Sequence, residues 1–330
     1  MKYREIGKTG ISISEIGLGC WTIGGPNWGR GTWPNGWAPV NKSEVIEAVR
    51  YALDNGVNHF DNADVYGNGR AERILASALA SYSQVVIISS KVGWFKGTAR
   101  HAYEPKHIRH QCEQSLINLK RDYIDIYYFH HGDFGPNDCY LDDACGMMNT
   151  LKTEGKIRCI GLSAYSEKDF KRLIPKIKPS VVQSWAHIMD YHFIAPNSSL
   201  MQLCERYTIS FIAFSPLNQG ILLGKYKSSN PPAFPYGDHR QKSEKFKPGY
   251  LTKAEIGIAN ISHLLGKSRK DLVRIALQFV LYHKNVAGVI PGFRNKDQVV
   301  MNLASRSKPL SGAEIALINK AFHSNNITVT

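Results

Sequence analysis

The apolar positions of this chain follow two different periods along nearly its whole length. Short runs rich in valine and isoleucine, typical of buried strands, alternate with segments in which apolar residues recur every three or four positions, typical of amphipathic helices. The first helical pattern contains Val45, Val49 and Leu53, and either Asn41 or Ser43 is suited to cap it. The alternation predicts eight strand–helix pairs.

The predicted elements can be given by their ranges. The predicted strands are Glu15–Trp21, His59–Asp64, Val85–Val92, Ile124–His130, Lys156–Ala164, Ser180–Ser184, Ile209–Ser215 and Val286–Pro291. The predicted helices are Val45–Leu53, Gly69–Tyr82, Ile108–Leu119, Leu141–Glu154, Ser166–Ile177, Ser198–Tyr207, two patterns between Lys253 and His283, and Asn295–Ala304. An alternating segment around Ile11 and Ile13 predicts a short N-terminal hairpin.

Eight such pairs in 330 residues predict an α/β fold, a (β/α)8 TIM barrel that forms a single domain over residues 1–330. The alternative is an open doubly wound sheet, but its GxGxxG fingerprint is absent and Gly17-Leu18-Gly19 is only a fragment of it. Long connections at 22–41, 131–141 and 217–252 all follow strands. They are therefore expected at the C-terminal mouth of the barrel, where this architecture builds its sites.

Composition narrows the class of protein further. Apolar residues make up 43% of the chain, which is enough for a sizeable core. We find neither a signal peptide nor an apolar run of about 20 residues, so a soluble cytoplasmic protein without membrane insertion is expected. The six cysteines form no CxxC pair, which predicts free thiols, and the spacing around His130, Cys139 and Cys145 matches no zinc pattern, so no metal is expected.

The formal net charge of +14 is the one feature that could indicate nucleic-acid binding. The lysines and arginines, however, are spread along the chain, with no basic run interleaved with aromatic residues. We therefore interpret the charge as a surface that attracts small anions such as a nucleotide cofactor, and expect no nucleic-acid partner. The sequence leaves the oligomeric state open, with a homo-oligomer as one option.

Polar residues that can carry chemistry stand at the ends of three neighbouring predicted strands. Asp61 and Tyr66 follow the second strand, Lys91 ends the third and His130 ends the fourth. A lysine in an apolar strand is costly to bury without a partner, and Asp61 is the available one. Lys91 should lower the pKa of a nearby Tyr66, which would then protonate a carbonyl oxygen, while His130 gives that oxygen a second hydrogen bond.

Other interpretations of these residues exist. A lysine and an aspartate at a barrel end can form an ion pair with only a structural role. Lys91 could also be the Schiff-base lysine of an aldolase. His131, next to His130, could be the histidine that faces the pocket.

At these residues the chain resembles the aldo-keto reductase family. The segments FDNADVYG, SSKVG, IDIYYFH, GKIRCIGLSAYS, FIAFSPLNQGILLGKY and VIPGFRNKDQVVMNL are similar to the family's motifs and occur in the same order over nearly the whole chain. The resemblance implies an NADP-dependent oxidoreductase that reduces the carbonyl group of a small aldehyde or ketone by hydride transfer. It implies Tyr66 as general acid, Lys91 as the group that lowers its pKa, Asp61 as the partner of Lys91, and His130 as the group that orients the carbonyl. The alternative, from relatives in the same family, is a cofactor-binding regulatory subunit of a potassium channel.

The resemblance also implies positions that hold NADP(H). These are Cys20, Trp21, Asp61, Ser163, Gln183, Phe214, Ser215, Pro216, Leu217, Gln219, Gly220, Lys225, Gly292, Arg294, Gln298 and Asn302. Arg294 is expected to bind a 2′-phosphate, since a guanidinium suits phosphate contact. Ala164 and Met301 depart from the family's usual Asn and Glu, so the contacts to the carboxamide and the adenine should differ here.

Tryptophans are concentrated in the predicted mouth. Trp28, Trp33 and Trp37 lie in the 22–41 connection, where they either pin the loop down or form the wall of a substrate site. The residues expected to line the substrate pocket are Trp21, Trp28, Trp94 and Trp185.

Overall fold

The computed structural model describes residues 1–29, 33–82, 86–265 and 268–323. The strands in this part of the chain are β1 (Tyr3–Glu5), β2 (Ser12–Ser14), β3 (Leu18–Gly19), β4 (Trp28–Gly29), β5 (Trp33–Pro34), β6 (His59–Asp61), β7 (Ile87–Val92), β8 (Ile124–Phe129), β9 (Ile157–Ser163), β10 (Val181–Trp185), β11 (Ser210–Phe214) and β12 (Val286–Ile290).

The helices of the described residues lie mostly between the strands. They are α1 (Lys42–Asp54), α2 (Arg70–Leu79), α3 (Pro105–Leu119), α4 (Leu141–Thr153), α5 (Glu167–Ile177), α6 (Ser199–Tyr207), α7 (Pro248–Leu265), α8 (Arg269–Leu281), α9 (Lys296–Ala304) and α10 (Gly312–His323). Polar side chains begin several of them: Asn41 caps α1, Ser166 caps α5, and Ser198 caps α6. Of the two caps considered for α1, Asn41 is therefore the one used.

Strands β3 and β6–β12 form one parallel sheet in which each strand pairs with the next along the chain. The two end strands are joined by hydrogen bonds from the Gly17 N–H to the Val289 oxygen, at 2.9 Å, and from the Gly19 N–H to the Pro291 oxygen, at 3.1 Å. A side chain at Gly19 would put its Cβ 2.8 Å from the Ile290 oxygen, so glycine is needed for this approach. The TIM barrel is confirmed, and the open-sheet alternative is wrong.

The amino-terminal end of the barrel is covered by the predicted hairpin. Strands β1 and β2 pair antiparallel, with Tyr3 opposite Ser14. Ile6, Ile11 and Ile13 are buried and pack with barrel residues such as Ile126 in one apolar cluster. The hairpin excludes water from one end, so the opposite end is left for a site.

Three element predictions need correction. The first strand is not Glu15–Trp21 but the two-residue β3, because residues Cys20–Gly24 form a 3-10 helix. The Thr22 hydroxyl holds that turn by donating to the Phe293 oxygen at 2.6 Å and accepting from the Phe293 N–H at 3.1 Å. The second strand ends at Asp61 instead of Asp64, and α10 was not predicted. Val85 lies outside the described residues.

Two of the long connections meet across the mouth of the barrel. We call residues 22–41 loop A and residues 217–252 loop B. The Gly36 oxygen of loop A accepts from the His239 N–H of loop B at 2.9 Å, and the Ala38 N–H donates to Asp238 Oδ2 at 3.1 Å. No helix in the described ranges is long and apolar enough to cross a membrane.

Candidate active site

The four predicted residues of the catalytic group converge at the carboxyl ends of three adjacent strands. Asp61 ends β6, Lys91 lies near the end of β7, and His130 directly follows β8. Neighbouring strands in this sheet are parallel, so their carboxyl ends lie at the same edge. Tyr66 is in the short connection between β6 and α2, on the same side.

Lys91 is fully buried, and its ammonium has three partners. Its Nζ donates to Asp61 Oδ2 at 2.6 Å, to the Asn62 oxygen at 2.7 Å and to the Tyr66 hydroxyl at 3.2 Å. These three acceptors match the three protons of an ammonium group, which is the condition for burying this charge. The predicted pairing of Lys91 with Asp61 is therefore present, and the same ammonium also donates a hydrogen bond to Tyr66.

Asp61 is also held from the far side of the barrel. Its second oxygen, Oδ1, accepts a hydrogen bond from Gln183 Nε2 at 2.9 Å, and both side chains are buried. Gln183 lies in β10, which is not a neighbour of β6 in the sheet. The carboxylate is therefore fixed by residues from both sides of the barrel, and so is the ammonium that it binds.

The expected lowering of the Tyr66 pKa is wrong for the protein without a cofactor. Burial, and then the negative charge of Asp61, raise the pKa of Tyr66 well above its ordinary value. The charge of Lys91 is compensated by Asp61 at 2.6 Å, which limits its influence on the phenol. Burial also lowers the pKa of Lys91, and Asp61 opposes that shift. Tyr66 is thus a neutral phenol near pH 7, the form that can donate a proton.

The histidine that is free to act is His130 and not His131. The ring of His131 is engaged on both nitrogens, with Nε2 at 2.9 Å from the Gly93 oxygen and Nδ1 accepting from the Asp133 N–H at 3.1 Å. His130 is buried, and its Nδ1 has no hydrogen-bond partner in the described residues. Its ring lies 5.9 Å from that of Tyr66, edge to face.

His130 is kept neutral by its surroundings. Burial, and then the positive charge of Lys91, lower the pKa of His130 well below its ordinary value. A neutral imidazole carries one N–H donor and one acceptor. It can therefore hydrogen-bond an oxygen beside the Tyr66 hydroxyl without adding a charge.

Comparison with known proteins gives the family of this chain. The model of the Aldo/keto reductase family matches residues 15–322. The chain belongs to the aldo/keto reductase family. This is a family of oxidoreductases that use nicotinamide cofactors.

Individual relatives of this aldo/keto reductase are distant but match it nearly end to end. It is 27% identical to an L-glyceraldehyde 3-phosphate reductase of Escherichia coli, over 97% of this chain and 92% of that one. It is also 27% identical to a probable voltage-gated potassium channel subunit beta of rice, Oryza sativa, over 92% of this chain and 90% of that one. The structure of a glycerol dehydrogenase from Gluconobacter oxydans superposes with a TM-score of 0.81 at 22% identity, covering 99% of this chain and 97% of that one. That superposition supports the fold.

The residues predicted to hold the nicotinamide half of the cofactor lie around the tetrad of Asp61, Tyr66, Lys91 and His130. The Trp21 indole stacks on the Tyr66 ring at 6.1 Å. Ser163 is buried at the end of β9; its Oγ has no hydrogen bond of ordinary geometry, although the Tyr165 hydroxyl is near. Phe214 is half-buried at the end of β11. Cys20 is fully buried, and burial raises the pKa of its thiol, so it is inert.

The segment predicted to bind the pyrophosphate is an irregular turn after β11. Ser215, Asn218 and Gln219 have φ values of 53°, 46° and 56°, and Gly220 has a φ of 89°. Such left-handed conformations cost energy in residues other than glycine and often mark functional sites. A Cβ built at Gly220 would lie 3.0 Å from Lys225 Cε, so this lysine lies over the turn. Pro216 and Leu217 complete the turn.

Some of the residues predicted to hold the adenosine end of the cofactor already have hydrogen-bond partners within the protein. Arg294 donates through Nη2 to the Ala38 oxygen at 3.3 Å and to the Pro39 oxygen, so its guanidinium is bound to loop A, while its Nε has no partner in the described residues. Asn302 is buried with an unpartnered Nδ2. Gln298 and Gly292 lie in the first turn of α9 and just before it.

The predicted tryptophans have different surroundings. Trp21 contacts Tyr66, and Trp94, which is 51% exposed, lies 6.3 Å from the ring of His130. Trp185 lies 6.5 Å from the ring of Phe214. The ring of Trp28 packs on that of Tyr236 in loop B, with the centroids 5.5 Å apart.

Within loop A, Trp37 has the pinning role. It is buried and contacts Trp21 at 5.6 Å, and the Arg240 guanidinium lies 4.3 Å from its ring centroid. The side chain of Trp33 lies outside the described residues.

Sequence reasoning missed the group that joins the two loops. Asp238 is fully buried and pairs with Arg240 at 2.6 Å, and His239 stacks on Trp21 at 4.4 Å. The nearest signal in the sequence is an acidic and a basic residue two positions apart in a loop rich in proline, which by itself indicates nothing. Tyr165 was missed as well, although it lies two residues after the end of β9 and its ring lies 6.1 Å from that of Trp94.

Proposed function

We propose that this protein reduces the carbonyl group of a small aldehyde or ketone to an alcohol, with NADPH as hydride donor. The observation that carries the proposal is the Tyr66 hydroxyl, held 3.2 Å from the buried ammonium of Lys91 at the open end of the barrel. Family membership supports the reaction class.

The bound cofactor would supply a hydride to the carbonyl carbon. Tyr66 donates its proton to the carbonyl oxygen, since burial keeps the phenol protonated near pH 7. As the proton leaves, a phenolate develops next to the Lys91 ammonium, which stabilises it. His130 holds the carbonyl oxygen with a neutral hydrogen bond, and Asp61 keeps Lys91 in place. Water then returns a proton to Tyr66.

The side chains around the mouth fit a nicotinamide dinucleotide. Buried polar atoms without a partner in the described residues include Asn302 Nδ2 and Arg294 Nε, which would hold the adenosine end. Burial, and then the charge of Arg240, lower the pKa of Arg294, so two guanidinium groups lie close together there. Two arginines with one carboxylate nearby, Asp238, leave a net positive charge that favours an added phosphate. We therefore propose NADP in preference to NAD.

The test compares Tyr66→Phe with Tyr236→Phe, a matched change at an exposed tyrosine of loop B. We expect Tyr66→Phe to lower kcat/KM for NADPH-dependent reduction of a test aldehyde by about 10²-fold or more, because it removes the general acid. The Kd for NADPH, measured by fluorescence titration, should change less than about two-fold. Unchanged turnover in Tyr66→Phe would refute the assignment, as would equal losses in both variants.

A cofactor-binding regulatory subunit is the second candidate, because a channel subunit of rice matches over nearly the same length as the reductase does. The complete tetrad favours the enzyme. Tight NADPH binding without turnover on a broad panel of carbonyl compounds would favour the regulatory role. Cytoplasmic localisation and the lack of metal and nucleic-acid partners stay predictions.

A further inference from the structure

A cavity of about 630 Å³ lies on the outside of the barrel, beside helices α2 and α3. It is open on one side and bordered by both ends of loop A, the start of α1, one face of α2 and the end of α3. The lining residues are Gly25, Pro26, Pro39, Val40, Lys42, Arg70, Arg73, Ile74, Ser77, Ile117, Asn118 and Lys120. None of the tetrad is among them, so the cavity is separate from the proposed active site.

The charge of the lining is of one sign. Lys42, Arg70, Arg73 and Lys120 are cationic, and no aspartate or glutamate lines the cavity. All four cations are exposed, and the amino-terminal end of α1 adds the partial positive charge of a helix start. Four cations around one cavity repel each other, so the charge distribution favours an anion.

The two arginines are held in place by neutral acceptors. Arg70 Nη1 donates to the Gly24 oxygen at 2.5 Å and to the Pro26 oxygen at 3.2 Å. Arg73 Nη1 donates to Asn118 Oδ1 at 3.1 Å. Glu72 also contacts Asn118, by accepting from its Nδ2 at 2.9 Å, but Glu72 is fully buried and does not line the cavity. The guanidinium groups are therefore oriented without being neutralised.

The rest of the lining is largely apolar. Ile117 is 69% exposed, and Ile74, Val40, Pro26 and Pro39 lie in the same lining. Apolar surface gains free energy when a ligand covers it. A simple inorganic anion would satisfy the cations but leave this surface in water.

We propose that this cavity binds an organic anion with an apolar body and an acidic head group, independently of the cofactor. The head group contacts Arg73 and Lys120, and the body covers Ile117 and its neighbours.

The probe for the test is 8-anilinonaphthalene-1-sulfonate, an apolar fluorophore with one sulfonate. It is titrated into the full chain in the presence of saturating NADP⁺, which keeps it out of the mouth. We expect saturable binding, weakened about ten-fold by Arg73→Gln/Lys120→Gln, which removes two charge-assisted contacts. The matched control, Lys152→Gln/Lys168→Gln, removes two exposed lysines from α4 and α5 and should leave the Kd unchanged.

Two further arms test the charge and the location. N-phenyl-1-naphthylamine, the same fluorophore without the sulfonate, should bind at least about ten-fold more weakly if the cations carry recognition. Ile117→Glu, at a position that is 69% exposed, should abolish binding of the sulfonate. Equal Kd values in the cavity and control variants would overturn the proposal, and so would equal affinity for the neutral analogue. Absence of saturable binding in the presence of saturating NADP⁺ would also overturn it, because the probe would then bind only in the cofactor site.

Discussion

At the scale of single residues, the protonation state of Tyr66 depends on burial more than on its lysine neighbour. Lys91 contacts the phenol, but its charge is shared with Asp61, whose own negative charge raises the pKa of Tyr66. The lysine therefore acts mainly when the phenolate forms. The role of Lys91 could be predicted because it is the only lysine in its strand. The compensation of its charge by Asp61 could not, because it depends on the distance between the two side chains, which the spacing of residues in the sequence does not give.

The raised pKa of Tyr66 predicts a flat pH profile for reduction. The protonated phenol is the active form, so activity is present below the Tyr66 pKa and is lost as the pH rises through it. Because that pKa lies well above its ordinary value of about 10, kcat/KM for carbonyl reduction should not fall between pH 7 and pH 9. Initial rates measured across this range provide the check. A fall in the kcat/KM of the wild type between pH 7 and pH 9 that is absent in Tyr66→Phe would contradict the account.

Removing Lys91 alone should be costly for folding as well as for activity. Lys91→Met leaves the Asp61 carboxylate buried without its cation, and we expect the free energy of unfolding to fall by about 3–5 kcal/mol. The double variant Asp61→Asn/Lys91→Met removes both charges, so it should recover most of that loss while reduction remains depressed about 10²-fold or more. Urea unfolding and NADPH consumption measure the two effects. A double variant as unstable as the single one would show that the ion pair is not the source of the loss.

At the scale of elements, the strands were the most predictable part. Runs such as Val286–Ile290 are buried along their whole length, so they contain no polar side chain and stand out in the sequence. The length of strand β3 was predicted wrongly. Its pairing with β12 depends on the absence of a side chain at Gly19, and a single glycine leaves no periodic pattern in the sequence. Helix α10 has Ile315, Ile318 and Phe322 at helical spacing, a signal that was present but overlooked.

The contact between loops A and B could not be predicted, since its two halves are 200 residues apart. Asp238 receives hydrogen bonds from the Ala38 N–H and from Arg240, and thereby fixes both loops over the proposed cofactor site.

Breaking this contact should weaken cofactor binding. Asp238→Asn removes the negative charge that orders Arg240 and weakens the hydrogen bond from the Ala38 N–H. We therefore expect the Kd for NADPH to rise about ten-fold. The effect on kcat should be much smaller, because the tetrad is not in contact with Asp238. Glu244→Gln, an exposed carboxylate in the same loop, is the control. NADPH affinity is measured by fluorescence titration. Equal Kd values for the wild type, Asp238→Asn and Glu244→Gln would show that the loop contact has no part in cofactor binding.

At the scale of the whole molecule, the barrel brings residues from distant parts of the chain to one end and leaves the other end closed by the hairpin. The single-domain organisation over residues 1–330 stays a prediction. The net charge of +14 was predicted to attract small anions. The structure shows two places where the charge is concentrated, the arginines beside loop A in the mouth and the outer cavity beside α2 and α3.

The most direct test of the proposed activity follows the hydride itself. The protein would be incubated with a test aldehyde and NADPH dideuterated at C4 of the nicotinamide ring, and the product analysed by mass spectrometry and NMR. The account predicts an alcohol with one deuterium on the former carbonyl carbon, formed by the wild type and nearly absent with Tyr66→Phe. An alcohol without deuterium at that carbon, or equal product from the variant, would contradict it.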